Sequence, residues 1–283
     1  YQQGTMGLTV DARASAETVS ATAQRIGHLG AQFLLLADRL RQEGAMIGDL
    51  EAMESLARQT IVVCEQAKLP WLYAGYLYLA FVADWAGRRD EGEAHLRRAL
   101  ELEPPGAFTG QTASILAIHL AESDRADEVR KLFDQNRANF PVEGRVNSLG
   151  AWNTLLGFVE ALYLCGDRDE VAALRPLVRQ ALGVGFEWVT FDCRLLQTRL
   201  AIVAVAAGEW EEADKHFTKA FRLAEEIDQR VEQADLRYLK ARMLVERGRM
   251  GDAEEAKLLI DEAVERYQAM GLSGKAAIAS ALL

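Results

Sequence analysis

Four histidines, His28, His95, His119 and His216, are the side chains best suited to proton transfer or metal ligation near neutral pH. Their spacing suits neither. A zinc-binding helix needs two histidines four residues apart with a glutamate between them, and these four are scattered through the chain. His95 and His216 each stand eight residues after a turn glycine among charged neighbours, which predicts two surface positions. His119, between Ile118 and Leu120, reads as a packed, hydrogen-bonded ring. Cys64, Cys165 and Cys193 lack the close pairing of a zinc site and read as reduced core thiols, the pattern of a cytoplasmic protein. Gly183-Val184-Gly185 lacks the lysine and hydroxyl residue of a phosphate-cradling loop. It is expected to end one helix and turn the chain into the next, beginning near Phe186. The pairs Glu211-Glu212 and Glu254-Glu255 fall at helix starts, where carboxylates offset the positive end of the helix. Glu225-Glu226 reads as a solvated face. No catalytic residue, metal site or cofactor is expected, and the chain does not read as an enzyme.

The elements that carry these residues are helices. Half of the 283 residues are hydrophobic, 26% are charged, and proline occurs only five times. Alanine, leucine, glutamate and arginine dominate, and they lose little freedom in a helix. A formal charge of −10 opposes direct contact with a phosphate backbone, which argues against nucleic acid as a partner. No run approaches the ~20 apolar residues that span a membrane. The longest, Leu195 to Ala207, is cut by Gln197, Thr198 and Arg199. Residues 1–10 read as a linker and 11–283 as one helical domain, with Asp11 to Ile26 as an amphipathic cap. The absence of an initiating methionine and an apolar end without a helix stop suggest a piece of a longer polypeptide.

A helix ending at Gly87 is followed by a short polar turn and a second helix that Pro104 stops. Ala80 precedes that glycine by seven residues, and Gly92, Leu96 and Ala99 follow it at five, nine and twelve. The pattern returns at Gly208 with Ala201, Ala213, Phe217 and Ala220. Near Gly248 it has Ala241 and restarts at Gly251 with Ala256, Ile260 and Ala263. Weaker copies centre on Gly166 and Asp124. Gly44 closes a helix with a restart at Gly48, as Gly251 follows Gly248. The turns at 44, 87, 124, 166, 208 and 248 lie 37 to 43 residues apart. Pro176 is expected to kink or restart the second helix of the Gly166 unit.

These residues resemble the tetratricopeptide repeat family, with a longer period than its usual 34. Longer pairs look like the superhelical arrays in the sensor regions of large bacterial MalT-like, LuxR-type ATPase regulators. The family's alanine five after the glycine is replaced by Gly92. The resemblance implies an all-α, right-handed superhelix of about six antiparallel helix pairs with a concave groove lined by first helices. It places Phe81, Asp84, Gln111, Ser114, Asn153, Glu160, Tyr163, Thr198, Tyr238 and Arg242 in that groove. Their mix of aromatic, amide, carboxylate and guanidinium groups suits a protein, a peptide or a small polar effector. The function so implied is a binding module of a larger cytoplasmic bacterial signalling or transcriptional regulator. The alternatives are an architectural spacer, which includes a homodimer, and, last, an all-α enzyme. Trp210 is expected in the core. Trp71, Trp152 and Trp188 are expected near the starts of first helices.

Overall fold

A computed structural model describes residues 26–185, 187–189 and 191–283. The linker and nearly all of the cap expected from the sequence lie outside the described residues. What is described is all-helical. In chain order the helices are α1 (Leu29–Arg39), α2 (Leu50–Ala67), α3 (Leu72–Trp85), α4 (Arg89–Leu102), α5 (Gln111–Ala121), α6 (Ala126–Asn136) and α7 (Leu149–Leu164). There follow α8 (Arg168–Gln180), α9 (Leu196–Ala206), α10 (Trp210–Glu226), α11 (Arg230–Arg247), α12 (Asp252–Ala269) and α13 (Ser273–Ser280). A π-helical segment, Leu40–Met46, continues α1. Among the described residues the β pairing is a single isolated bridge, Trp188 to Leu195.

Two kinds of helix alternate. Every residue of α9 is buried, and so are nearly all of α3, α5 and α7. Their sequences are mostly apolar on every face, as an enclosed helix requires, with buried polar side chains such as Glu160 and Arg199 as exceptions. By contrast α4, α6, α8 and α10 bury one stripe each. On α4 that stripe is Gly92, Leu96 and Ala99, and on α10 it is Ala213, Phe217, Ala220 and Ala224. These are the positions five, nine and twelve after the turn, with Ala224 one helical turn further on. Small residues let the backbones approach, and Leu96 or Phe217 fills the space behind them at roughly 1.5–3 kcal/mol per buried side chain.

The turns match the spacing read from the sequence. Gly87, Gly166 and Gly208 all have positive φ, as does Asp124 at 56° in the corresponding turn. Gly248 and Gly251 are both left-handed, so the chain spends three extra residues before α12 starts. Gly44 is the exception: the π segment Leu40–Met46 runs through it instead of ending there, and the chain turns only at Gly48, at φ 86°.

Three local expectations change. Helix α8 passes Pro176 without a break and tightens only at Ala181–Val184. The next helix starts at Leu196 rather than near Phe186, because Glu187–Val189 and Phe191–Leu195 form a non-helical excursion that turns at Phe191 and Asp192. There the Val189 amide donates to the Arg194 carbonyl at 2.8 Å and the Leu196 amide to that of Glu187 at 2.8 Å. Trp188 therefore sits in this excursion instead of at a helix start. His95 and His216 are half-buried rather than fully exposed, and His216 Nδ1 lies 2.8 Å from Gln197 Oε1.

Neighbouring helices pack in chain order, and the enclosed helices α5, α7 and α9 also pack on one another. The C-terminal helix packs back on the first third of the chain. Helix α13 lies against α3, and the Ser273 hydroxyl donates to the Ala86 carbonyl at 3.0 Å, 187 residues away. Gly274 makes this closure sterically possible, since a Cβ there would fall 2.1 Å from the Asp84 carbonyl oxygen. Gly48 meanwhile packs on Val231 and Met270.

Candidate functional site

The non-helical excursion carries Arg194 into the space between α7, α9 and α11. Its guanidinium forks onto Glu160, with Nε donating to one carboxylate oxygen at 3.1 Å and Nη2 to the other at 2.8 Å. The third nitrogen, Nη1, donates to Glu232 and to Asp235, each at 2.6 Å. Glu232 also accepts from the Thr198 hydroxyl and from the Leu195 amide, the latter at 3.2 Å. Asp235 accepts from Lys275 at 2.8 Å and from the Tyr267 hydroxyl. Arg199, with no exposed side-chain surface, pairs with Glu160 and donates to Asp192 at 2.8 Å.

Three cations thus face four carboxylates in a space removed from water. Burial alone would neutralise such acids. It does press on Asp235, but Arg194 and Lys275 outweigh it and hold that carboxyl well below the usual range. Burial wins at Asp192, whose pKa rises to about 6 against the pull of Arg194. The Tyr267 phenol is pushed far upward by burial and by Asp235, so it stays a donor. Lys275 Nζ also lies 5.5 Å from the Trp85 ring and 5.6 Å from the Tyr267 ring, an aromatic setting that favours a cation.

A second polar contact borders the first. Asp84 accepts or shares a proton with His119 Nδ1 at 2.8 Å, and burial raises its pKa despite that partner. The space for this carboxylate is made by Gly92, where a Cβ would lie 2.0 Å from Asp84 Oδ1. Between the two groups is a cavity of about 50 Å³, walled by Phe81, Asp84, Trp85, Glu160, Arg194 and Lys275 among others. That volume admits a few waters or a group of a few heavy atoms.

The ten groove positions are distributed unevenly. Phe81, Asp84 and Glu160 line the cavity, and Thr198 joins the Arg194 centre by donating to Glu232. Phe81 stacks on Trp85 at 5.5 Å. Tyr163, Tyr238 and Arg242 form a neighbouring cluster, in which Arg242 Nη1 donates to the Tyr238 hydroxyl at 3.2 Å and its guanidinium covers the Tyr163 ring at 5.5 Å. Gln111, Ser114 and Asn153 are buried elsewhere. Ser114 faces α7 at Gly157, where a Cβ would meet its hydroxyl at 2.4 Å, so it is a helix-packing residue. Sequence reasoning missed Arg194, Glu232, Asp235, Tyr267 and Lys275. Arg199 does carry a signal, a charge in an otherwise largely apolar helix.

Every carboxylate at the centre is held by a cation or a donor. Among the described residues no group of three His, Cys, Asp or Glu side chains is placed to hold a metal ion, and no helix is long and apolar enough to cross a membrane. Neither a protein-family sequence model nor a curated protein sequence matches the chain.

Proposed function

We propose that this chain is a binding module of the tetratricopeptide-like kind, a right-handed array of helix pairs whose first helices form its recognition surface. In this reading it belongs to a cytoplasmic bacterial signalling or transcriptional regulator and performs no catalysis itself. One observation carries the proposal: side chains from α3, α7, α9, α11 and α13 converge on a polar centre where a purely structural core would be apolar. The small size of the central cavity favours a small polar effector, or one side chain of a partner peptide, over a whole peptide strand. Native mass spectrometry and thermal shift of the full chain against small polar effectors and peptides test this. A ligand whose binding is lost in Glu160→Gln and retained in a surface variant such as Lys257→Ala supports it. Ligands bound equally by both proteins would remove the centre from consideration.

The architectural spacer is the second reading, favoured by the completeness of the ion pairing around Arg194. Light scattering decides whether the chain self-associates. A dimer unaffected by changes at the centre would favour the spacer.

A further inference from the structure

We infer that a second cavity, beside Arg41, is a binding site for a small apolar carboxylic acid. It contains none of the ten groove positions and stands independently of the function proposed above. The π-helical segment carries Arg41 into the interior, where only 2% of the residue remains exposed. Nη2 donates to Asp38, but Nε and Nη1 have no hydrogen-bond partner. A guanidinium cannot shed its proton to escape this, and each unmet buried donor costs roughly 1–3 kcal/mol. Distortions of this helical kind recur at functional sites.

Arg41 borders a cavity of about 170 Å³ whose other walls are apolar and aromatic, including Phe33, Trp71, Tyr73, Phe108 and Phe191. Phe33 stacks on Trp71 at 4.6 Å, and Phe191 meets Tyr73 edge-on at 6.1 Å. For scale, a cavity of roughly 150 Å³ lined by apolar side chains accepts benzene. The body of the ligand is therefore about one ring or a six-carbon chain. The buried, unpartnered N–H groups of Arg41 ask for an acceptor, and an anionic carboxylate answers a guanidinium with charge-assisted hydrogen bonds. An amine would face the positive charge of Arg41. A phosphate ester would bring two charges and too little apolar surface to fill the aromatic walls.

Isothermal titration of the full chain with benzoate, and with benzyl alcohol as a neutral molecule of the same shape, tests the inference. Benzoate is expected to bind at least tenfold more tightly. Arg41→Met should erase that difference, while Ala74→Leu, which fills the cavity and leaves Arg41 in place, should weaken both molecules tenfold or more. Equal affinity of the two molecules for the unaltered protein would overturn the inference. So would benzoate binding that Ala74→Leu leaves unchanged, a result that stands even if Arg41→Met does not fold.

Discussion

Arg194 and Arg41 are both withdrawn from water, yet their surroundings differ in kind. Arg194 spends all three nitrogens on Glu160, Glu232 and Asp235. Arg41 has one carboxylate, Asp38, and two idle nitrogens beside an apolar cavity. A buried charge whose hydrogen bonds are complete ties helices together. One whose donors are unspent stores an interaction for something else to complete. The same residue type thus has its donors completed within the fold in one region and left open in the other.

The largest effect should come from breaking the tie. Arg194→Met leaves Glu160, Glu232 and Asp235 buried without their shared cation, at a cost of about 3–5 kcal/mol. Urea unfolding should show it as a lower midpoint. Arg41→Met should cost clearly less by the same measurement, since it leaves one carboxylate that Gln42 still serves at 2.7 Å. Equal losses would erase the distinction between the two arginines.

Next in size is overpacking at the glycines beside Asp84. Gly92→Ala brings a methyl against the Asp84 carboxylate, and Gly274→Ala brings one against its carbonyl. Each should cost about 1–3 kcal/mol. In an Asp84→Ala background, which itself costs the bond to His119, the Gly92→Ala penalty should largely vanish. Gly274→Ala has no such remedy, because the obstacle there is backbone.

The centre should also report on pH. Asp192 titrates near 6 in the folded chain, above the ordinary aspartate value of 3.8, because burial disfavours its charge. A raised carboxyl pKa means the folded state holds the proton more tightly than the unfolded one. Its contribution is fully present below about pH 4 and is lost as pH rises through 6. Unfolding free energies between pH 4 and 7 should therefore fall more steeply in the unaltered protein than in Asp192→Asn, by on the order of 2 kcal/mol across the window. Parallel curves would mean that Arg199 keeps Asp192 charged throughout.

Much of the helical alternation was legible in the sequence because it depends on short-range spacing. Ala80, Leu96 and Ala99 sit where a turn glycine and a 3.6-residue period put them. The departure at Gly92 was legible as well, although its reason was not: the missing methyl belongs to a carboxylate eight residues earlier. The polar centre was half-legible. Glu160 and Thr198 follow from the repeat register, whereas Arg194 lies in an excursion that interrupts it. Asp235 and Lys275 become neighbours only because distant helices pack together. The approach of α13 to α3 depends on accumulated geometry along the chain, and local pattern carries no record of it.

The smallest predicted effect concerns two turns that do the same work with different residues. Gly166 and Gly208 hold φ at 77° and 73°, while Asp124 holds 56° in the matching turn. A side chain in this region pays a steric cost, and aspartate pays less than most because its short carboxylate bonds locally. Asp124→Gly should relieve that cost but also give the unfolded chain more freedom to lose. The two effects oppose each other, and the exposed position adds no packing to either. A net gain of about 0.5 kcal/mol is expected, visible as a slight rise in the urea midpoint with an unchanged slope. A loss instead would mean that the Asp124 carboxylate contributes to this turn beyond filling a left-handed position, and that the turns at 124 and 166 are not equivalent.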